Sequence, residues 1–280
     1  SFGTSDVLWE FTDTDLGQTL GKPVIVKMNT GEWAVIIANG YNSTSQTARL
    51  FVLDLATGAV IKEIDTQVGS ASEPNGLSSP LPVDEDGDRV ADYVYAGDLQ
   101  GNLWKFDLTD NNSAQWGSAF KTGNKPKPLF QACNGTCSAS TRQPITMRPL
   151  AIRHPKGGIM VLMGTGSYFT NDDKLLPATP RLEAVYGIWD AGATVLASQL
   201  QQQSITHEYS ANGTTIKFNV RVVSNTAVNY TSQKGWYLVL KSPALSKGGG
   251  ERAVSEMLYR NKRLIFNTLI PSADACDFGG

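Results

Sequence analysis

A six-residue pattern of leucine, aromatic, any residue, apolar, aspartate, leucine occurs twice. It reads Leu50-Phe51-Val52-Leu53-Asp54-Leu55 and then Leu103-Trp104-Lys105-Phe106-Asp107-Leu108. Each copy follows a short, nearly continuous apolar run, Trp33–Ala38 before the first and Asp92–Gly97 before the second. Runs of this length, rich in Val, Ile, Tyr and Trp and broken by Gly, Asn, Asp and Pro, read as strands buried on both faces. A looser third copy is read in Ile159–Gly164 followed by Glu183–Asp190. Strands for a fourth are read in Gly235–Leu240 and Arg263–Leu269. Trp33 to Asp92 spans 59 residues and Asp92 to Ile159 spans 67. Repeats somewhat longer than about 40–50 residues, each supplying about four strands, point to β-propeller blades. A single blade cannot bury both faces, whereas blades stacked radially can. Helical periodicity is nearly absent, with Ala193–Gln203 the one candidate surface helix. Strands are also expected at Val7–Phe11 and over residues 22–28, and an exposed position is expected for Trp116, which has polar neighbours.

Between the first two copies lies Asp84-Glu85-Asp86-Gly87-Asp88-Arg89-Val90-Ala91-Asp92. Carboxylates at relative positions 1, 3, 5 and 9 of a short loop turn alternately inward, and Gly87 allows a tight curve. Such spacing of hard oxygen ligands suits Ca²⁺. Asp84, Asp86, Asp88 and Asp92 are then the expected side-chain ligands, and Val90 the expected carbonyl ligand. Glu85 and Arg89, at even positions, are expected to point outward. Five acids against one base within nine residues also call for a counter-ion. The loop is no ordinary EF-hand: position 6 is Arg89 where glycine belongs, and position 12 is Tyr95 where a bidentate glutamate belongs. It reads instead as a junction between the strands Leu77–Val83 and Asp92–Gly97.

The chain carries 26 acids and 24 bases; outside the loop the counts are 21 and 23, so the negative excess resides in the loop. No basic run is present, which argues against nucleic acid. No apolar run is long enough for a membrane-spanning helix. The chain starts at Ser1 without Met or signal peptide, which fits a fragment or processed chain. Cys133 and Cys137 flank Asn134-Gly135-Thr136, and an Asn-Gly turn can bring them together as a small disulfide, with a free pair or a metal site as alternatives. With only two histidines, His154 and His207, zinc is disfavoured. A disulfide would imply export. Cys276 is expected to find a partner beyond the visible end.

The run from Gly76-Leu77-Ser78-Ser79-Pro80 through the acidic loop to Gly101-Asn102-Leu103-Trp104-Lys105-Phe106-Asp107-Leu108 resembles the calcium-loop segment of the PilC/PilY family. Its members are type IV pilus biogenesis factors and tip adhesins. Arg142-Gln143-Pro144-Ile145-Thr146, Arg153-His154-Pro155, Gly164-Thr165-Gly166-Ser167-Tyr168, Tyr186-Gly187-Ile188-Trp189-Asp190, Lys234-Gly235-Trp236-Tyr237 and Thr268-Leu269-Ile270-Pro271 follow in the family's order. The resemblance implies an all-β, modified β-propeller with quinoprotein-like blades over residues 1–280, from the C-terminal half of a larger exported protein. The family propeller is longer than this chain, so an incomplete ring is expected as an alternative to a closed one. It further implies Ca²⁺ as the ion, with occupancy favouring pilus extension over retraction and so governing twitching motility. Minor pilins and the pilus tip are the implied partners, and host or abiotic surfaces would be reached through regions outside this chain. The implied location is the pilus tip, outer membrane or cell surface, as part of a fimbrium. The integrin-binding Arg-Gly-Asp of some members is absent.

Three competing chemistries are weaker. Gly164-Thr165-Gly166-Ser167 lacks the Lys-Ser/Thr of a phosphate loop and reads as a turn. Ser167 with His154 or His207 lacks a nucleophile-elbow sequence, so no catalytic residues and no small-molecule substrate are expected. Asp172-Asp173 reads as a solvated loop in preference to a second cation site. Two other functional readings stand beside the pilus module. One is a quinoprotein-like periplasmic dehydrogenase, which needs ligands converging from several blades. The other is a propeller scaffold in which calcium only stiffens one blade.

Overall fold

The computed structural model describes residues 3, 6–212 and 217–272. Cys276 lies outside them. The chain divides into two compact units, Ser1–Phe130 and Gln131–Gly280.

The first unit contains two antiparallel sheets. Strands β1 (Val24–Lys27), β2 (Trp33–Ala38), β3 (Arg49–Asp54) and β4 (Val60–Asp65) form a meander in that order. Strands β5 (Leu81–Val83), β6 (Tyr93–Gly97) and β7 (Asn102–Asp107) form the second, flanked by the short β8 (Gly117–Ser118) and, at the unit boundary, β11 (Phe130–Gln131). A hairpin of β9 (Phe120–Thr122) and β10 (Lys125–Lys127) stands apart from both.

The two sequence copies occupy equivalent places. β3 pairs with β2, matching Ile36 to Val52, and β7 pairs with β6, matching Val94 to Phe106. Side chains alternate across a strand. Leu50 and Val52 therefore enter a core with Ile36, Val94, Trp104 and Phe106, while Phe51 and Leu53 enter another with Val35, Trp9 and Phe11. Burial on both faces is why the run shows no polar alternation. The aspartate ending each copy caps the turn that follows. Asp54 Oδ1 accepts from Thr57 N at 2.7 Å, and Asp107 Oδ1 accepts from Thr109 N at 3.0 Å.

In the second unit, six strands run in the order β12 (Leu150–Arg153), β13 (Ile159–Gly164), β14 (Ala184–Asp190), β17 (Gly235–Val239), β15 (Gln201–Asn212), β16 (Lys217–Val223). In this sheet the β15–β17 pairing is parallel and the other pairings among the described residues are antiparallel. β18 (Leu258–Arg260) and β19 (Arg263–Ile265) form a hairpin. The core here gathers Met147, Met160, Leu162, Val185, Trp189 and Leu240. Cys133 and Cys137 are joined in a disulfide with Cα atoms 5.3 Å apart.

Four expectations change. Val7–Phe11 forms no strand; it is held by side chains, with the Trp9 indole donating to Leu55 O at 2.9 Å. Ala193–Gln203 is not a helix. A single 3₁₀ turn at Ala197–Gln199 leads into β15, because Gln201–Ser204 pair with Trp236–Val239. The Gly235 strand does not begin a fourth copy; it completes the third sheet beside β14, with Gly187 opposite Trp236. Trp116 is buried, and its indole donates to Asp110 O at 2.7 Å.

Candidate metal centre

The acidic loop runs from the end of β5 to the start of β6. Asp84, Asp86 and Asp88 each offer a carboxylate oxygen, and the three oxygens lie within 4.8 Å of one another. Local hydrogen bonds produce this convergence. Asp84 accepts from Gly87 N at 2.6 Å and from Arg89 N at 2.7 Å. Asp86 accepts from Asp88 N at 3.0 Å, and Asp88 from Val90 N at 2.7 Å. Aspartates that cap the amide two or more residues ahead curl a chain into successive turns. The curl requires positive φ twice, at Gly87 (+92°) and at Arg89 (+72°). Thus Arg89, in the place where an EF-hand has glycine, adopts the backbone that glycine would supply.

Asp92 sits deeper than the other three. It is buried at the base of the loop, and its Oδ2 accepts from Glu85 N at 2.7 Å. Val90 and Glu85 are half-buried, and Arg89 is exposed. Arg89 and Asp84 border a shallow 220 Å³ cleft with Ile25, Lys27 and Trp33. Tyr95, at the twelfth position, is fully buried in β6 and opposite Leu81, so it takes no part in the loop.

The base of the loop is anchored to both sheets of the first unit. Ala91 N donates to Lys27 O at 2.9 Å, and Asp92 N to Val83 O at 3.0 Å. The Asn29 amide donates to Ala91 O at 3.2 Å and to Leu108 O at 3.1 Å. The donor set is oxygen only, with no imidazole or thiolate. Three carboxylates in one hard cluster suit a divalent cation that prefers oxygen ligands.

The other sequence-level candidates do not assemble. Asp173 Oδ2 is taken up by Phe169 N and Thr170 N, both at 2.8 Å, and its Oδ1 lies 3.5 Å from Arg252. His154 packs on Trp189, with ring centroids 4.4 Å apart, and His207 lies on β15 beside Tyr209. Gly166 has φ +126° and makes a bridge to Ile145 instead of opening a helix. Sequence reasoning missed two buried acids, Asp98 and Glu183, because a single Asp or Glu inside an apolar run carries no local signal. It also missed an aromatic cleft around Arg153-His154-Pro155, which it registered only as a tripeptide of resemblance.

An all-β chain that repeats a strand pair and carries an oxygen-rich acidic loop between the paired strands β5 and β6 has the build of a β-propeller module. The family model described as the PilY1 beta-propeller domain matches residues 9–211. The chain belongs to this PilY1 β-propeller family, and its architecture is a modified β-propeller. It is 37% identical over 293 residues to a type IV pilus biogenesis factor PilY1 homolog of Xylella fastidiosa, covering 100% of this chain and 19% of that protein. It is 35% identical over 314 residues to the type IV pilus biogenesis factor PilY1 of Pseudomonas aeruginosa strain UCBPP-PA14, covering 98% and 26%. The crystal structure of the P. aeruginosa PilY1 C-terminal domain superposes with a TM-score of 0.82 at 33% identity, covering 94% of this chain and 59% of that one. The chain therefore spans only about a fifth to a quarter of the length of these curated relatives.

Proposed function

We propose that this chain is the calcium-binding propeller module of a type IV pilus biogenesis protein. On this reading Asp84, Asp86, Asp88 and Asp92 bind Ca²⁺ through side chains and Val90 through its carbonyl. The observation that carries it is the convergence of three carboxylate oxygens within 4.8 Å on a nine-residue loop. The loop amides already bonded to those carboxylates pre-shape the site, so little ordering remains to be done on binding. Asp92 joins by relinquishing its bond from Glu85 N.

Ca²⁺ occupancy then biases the pilus toward extension, its loss permits retraction, and twitching motility follows the balance. The module acts at the exported pilus tip or outer surface, among minor pilins, and adhesion to host or abiotic surfaces belongs to regions outside this chain. Catalysis of the quinoprotein type is disfavoured because the convergent carboxylates come from one loop and not from several blades.

Isothermal titration calorimetry of Asp84→Ala and Asp88→Ala tests the site. Both variants are expected to lose Ca²⁺ binding and to keep the β-sheet circular dichroism of the parent; unchanged affinity in either sinks the ligand assignment. Cells carrying Asp84→Ala in the whole protein test the switch. Normal piliation and twitching in them would leave calcium a stiffener of one blade.

A further inference from the structure

A cleft of 410 Å³ opens in the second unit, between β12, β13 and the β18–β19 hairpin. Cavities of about 300–1,000 Å³ are the size that small ligands occupy. Its lining is apolar and aromatic: Tyr230, Trp236 and Leu264 pack against the buried cluster that includes Met160 and Leu162. Its rim carries three cations, Arg153, Lys156 and Lys262, and no aspartate or glutamate lines it. Among the described residues, none of these three cations makes an ion pair.

Hydrogen-bond donors on the residues that line this space are also unspent. Trp9, Trp104, Trp116 and Trp189 donate their indole N–H groups to Leu55 O, Asp98 Oδ2, Asp110 O and Gly157 O. Trp236 makes no such bond among the described residues, nor do the hydroxyls of Tyr230 and Tyr259. Trp236 can lie flat over β14 only because Gly187 has no side chain; a Cβ there would come within 2.6 Å of the indole nitrogen. His154 accepts at Nδ1 from Lys156 N at 3.2 Å, which places the proton of the neutral ring on Nε2, a further donor. Burial and Lys156 both lower its pKa and keep the ring neutral.

The rim is also strained. Asn261 and Lys262 form the hairpin turn with φ +51° and +60°. A two-residue turn of this kind favours glycine at its second position. The chain instead holds a lysine there, with its ammonium group on the cleft.

We propose that this cleft binds an amphipathic organic anion. A mono- or bicyclic apolar ring system lies against Trp236 and Tyr230, and a carboxylate or sulfonate is held by Arg153, Lys156 and Lys262. Apolar and aromatic surface lined by cations and hydrogen-bond donors, with no carboxylate among the lining residues, selects against neutral and cationic ligands.

The probe is 1-anilinonaphthalene-8-sulfonate, titrated into the 280-residue chain by fluorescence, with N-phenyl-1-naphthylamine as the neutral counterpart. One saturable site is expected, with the neutral compound bound at least about tenfold more weakly. Reversing one charge at the rim, in Lys262→Asp or Lys156→Asp, should weaken the dye on the order of tenfold, and rising salt should weaken it further. Aspartate suits the left-handed backbone at position 262 better than glutamate does. In ¹H–¹⁵N spectra the Trp236 indole cross-peak should move while those of the four internally bonded indoles stay. The proposal is overturned by equal binding of the neutral compound, by full affinity in both charge-reversal variants, or by a Trp236 cross-peak that does not shift.

Discussion

Replacing Arg89 with glycine changes two separable quantities in the acidic loop. Arg89 holds φ at +72°. For an L-residue the left-handed backbone costs roughly 1–2 kcal/mol, and glycine takes it without that penalty. Glycine gives back about 0.5–1 kcal/mol through the greater freedom of the unfolded chain. Loop stability in Arg89→Gly should therefore rise by no more than about 1.5 kcal/mol. The second quantity is charge. Arg89 is the one base among Asp84, Glu85, Asp86, Asp88 and Asp92. A guanidinium ~8 Å from a divalent cation repels it by about 1 kcal/mol in water-like dielectric, close to a factor of six in affinity. Ca²⁺ should thus bind about three- to tenfold more tightly to Arg89→Gly. Calorimetry at fixed ionic strength measures this, and Arg89→Ala isolates the charge effect because alanine retains the strained backbone. Both variants should gain affinity, and only the glycine variant should be spared a loss of thermal stability. If Arg89→Gly and Arg89→Ala both bind Ca²⁺ no more tightly than the parent, the cation does not sit among these carboxylates.

Two further predictions concern buried acids. Asp98 is fully buried and accepts from Asn75 Nδ2, Asn102 Nδ2 and Trp104 Nε1, each at 2.8 Å, and from the Gln100 and Asn102 amides at 2.9 Å. Asp98→Ala strands these donors and should cost about 3–5 kcal/mol in urea unfolding; a loss under about 1 kcal/mol would mean that water replaces the carboxylate. Glu183 is raised from 4.5 to about 7, chiefly by burial, against the pull of Thr165, Arg181 and Arg252. A raised carboxyl stabilises the fold fully below the unfolded value of 4.5, and that contribution fades as pH climbs through about 7. Stability should fall by about 3 kcal/mol across that window in the parent, and Glu183→Gln should flatten the fall. Parallel pH profiles for the two proteins would refute the assignment.

The strands that lie in the core were legible because their sequences show it. Trp33–Ala38 appears in the structure with the bounds read from the sequence, and the two leucine–aromatic copies shift by only a residue at each end. Both faces of these strands are buried, so pattern and packing agree. The acidic loop was legible for a different reason: alternate aspartates have few uses except to converge. What failed depended on distant partners. Val7–Phe11 has a strand-like composition, but its tryptophan packs against the turn at Gly58, where a Cβ would meet the ring at 2.6 Å, and no neighbouring backbone pairs with it. Gln201–Ser204 became a strand only because β17 arrives alongside, more than thirty residues later in the chain. The basic aromatic cleft draws on three stretches, around His154, Trp236 and Lys262, and no local window holds all of them.

The anchoring of the loop bears on what an ion there can do. Val90 and Asp92, the two ligands expected to close the site, lie on either side of Ala91. Ala91 N is bonded to Lys27 O at the end of β1, and Ala91 O receives the Asn29 amide, which also holds Leu108 O at the end of β7. Asp92 O in turn accepts from Leu108 N at 2.8 Å. Drawing Val90 and Asp92 toward a cation therefore pulls on the segment where strand ends of both sheets of the first unit meet. Drawing in Asp84, Asp86 and Asp88 moves only exposed or half-exposed loop. On the proposed reading, such a site would release an ion without loss of the fold, because Ile36, Val94, Trp104 and Phe106 are packed in a buried cluster away from the loop carboxylates. On the proposed reading, an ion bound here would still be registered at a junction between sheets, which is the property that a calcium-dependent switch on this module would require.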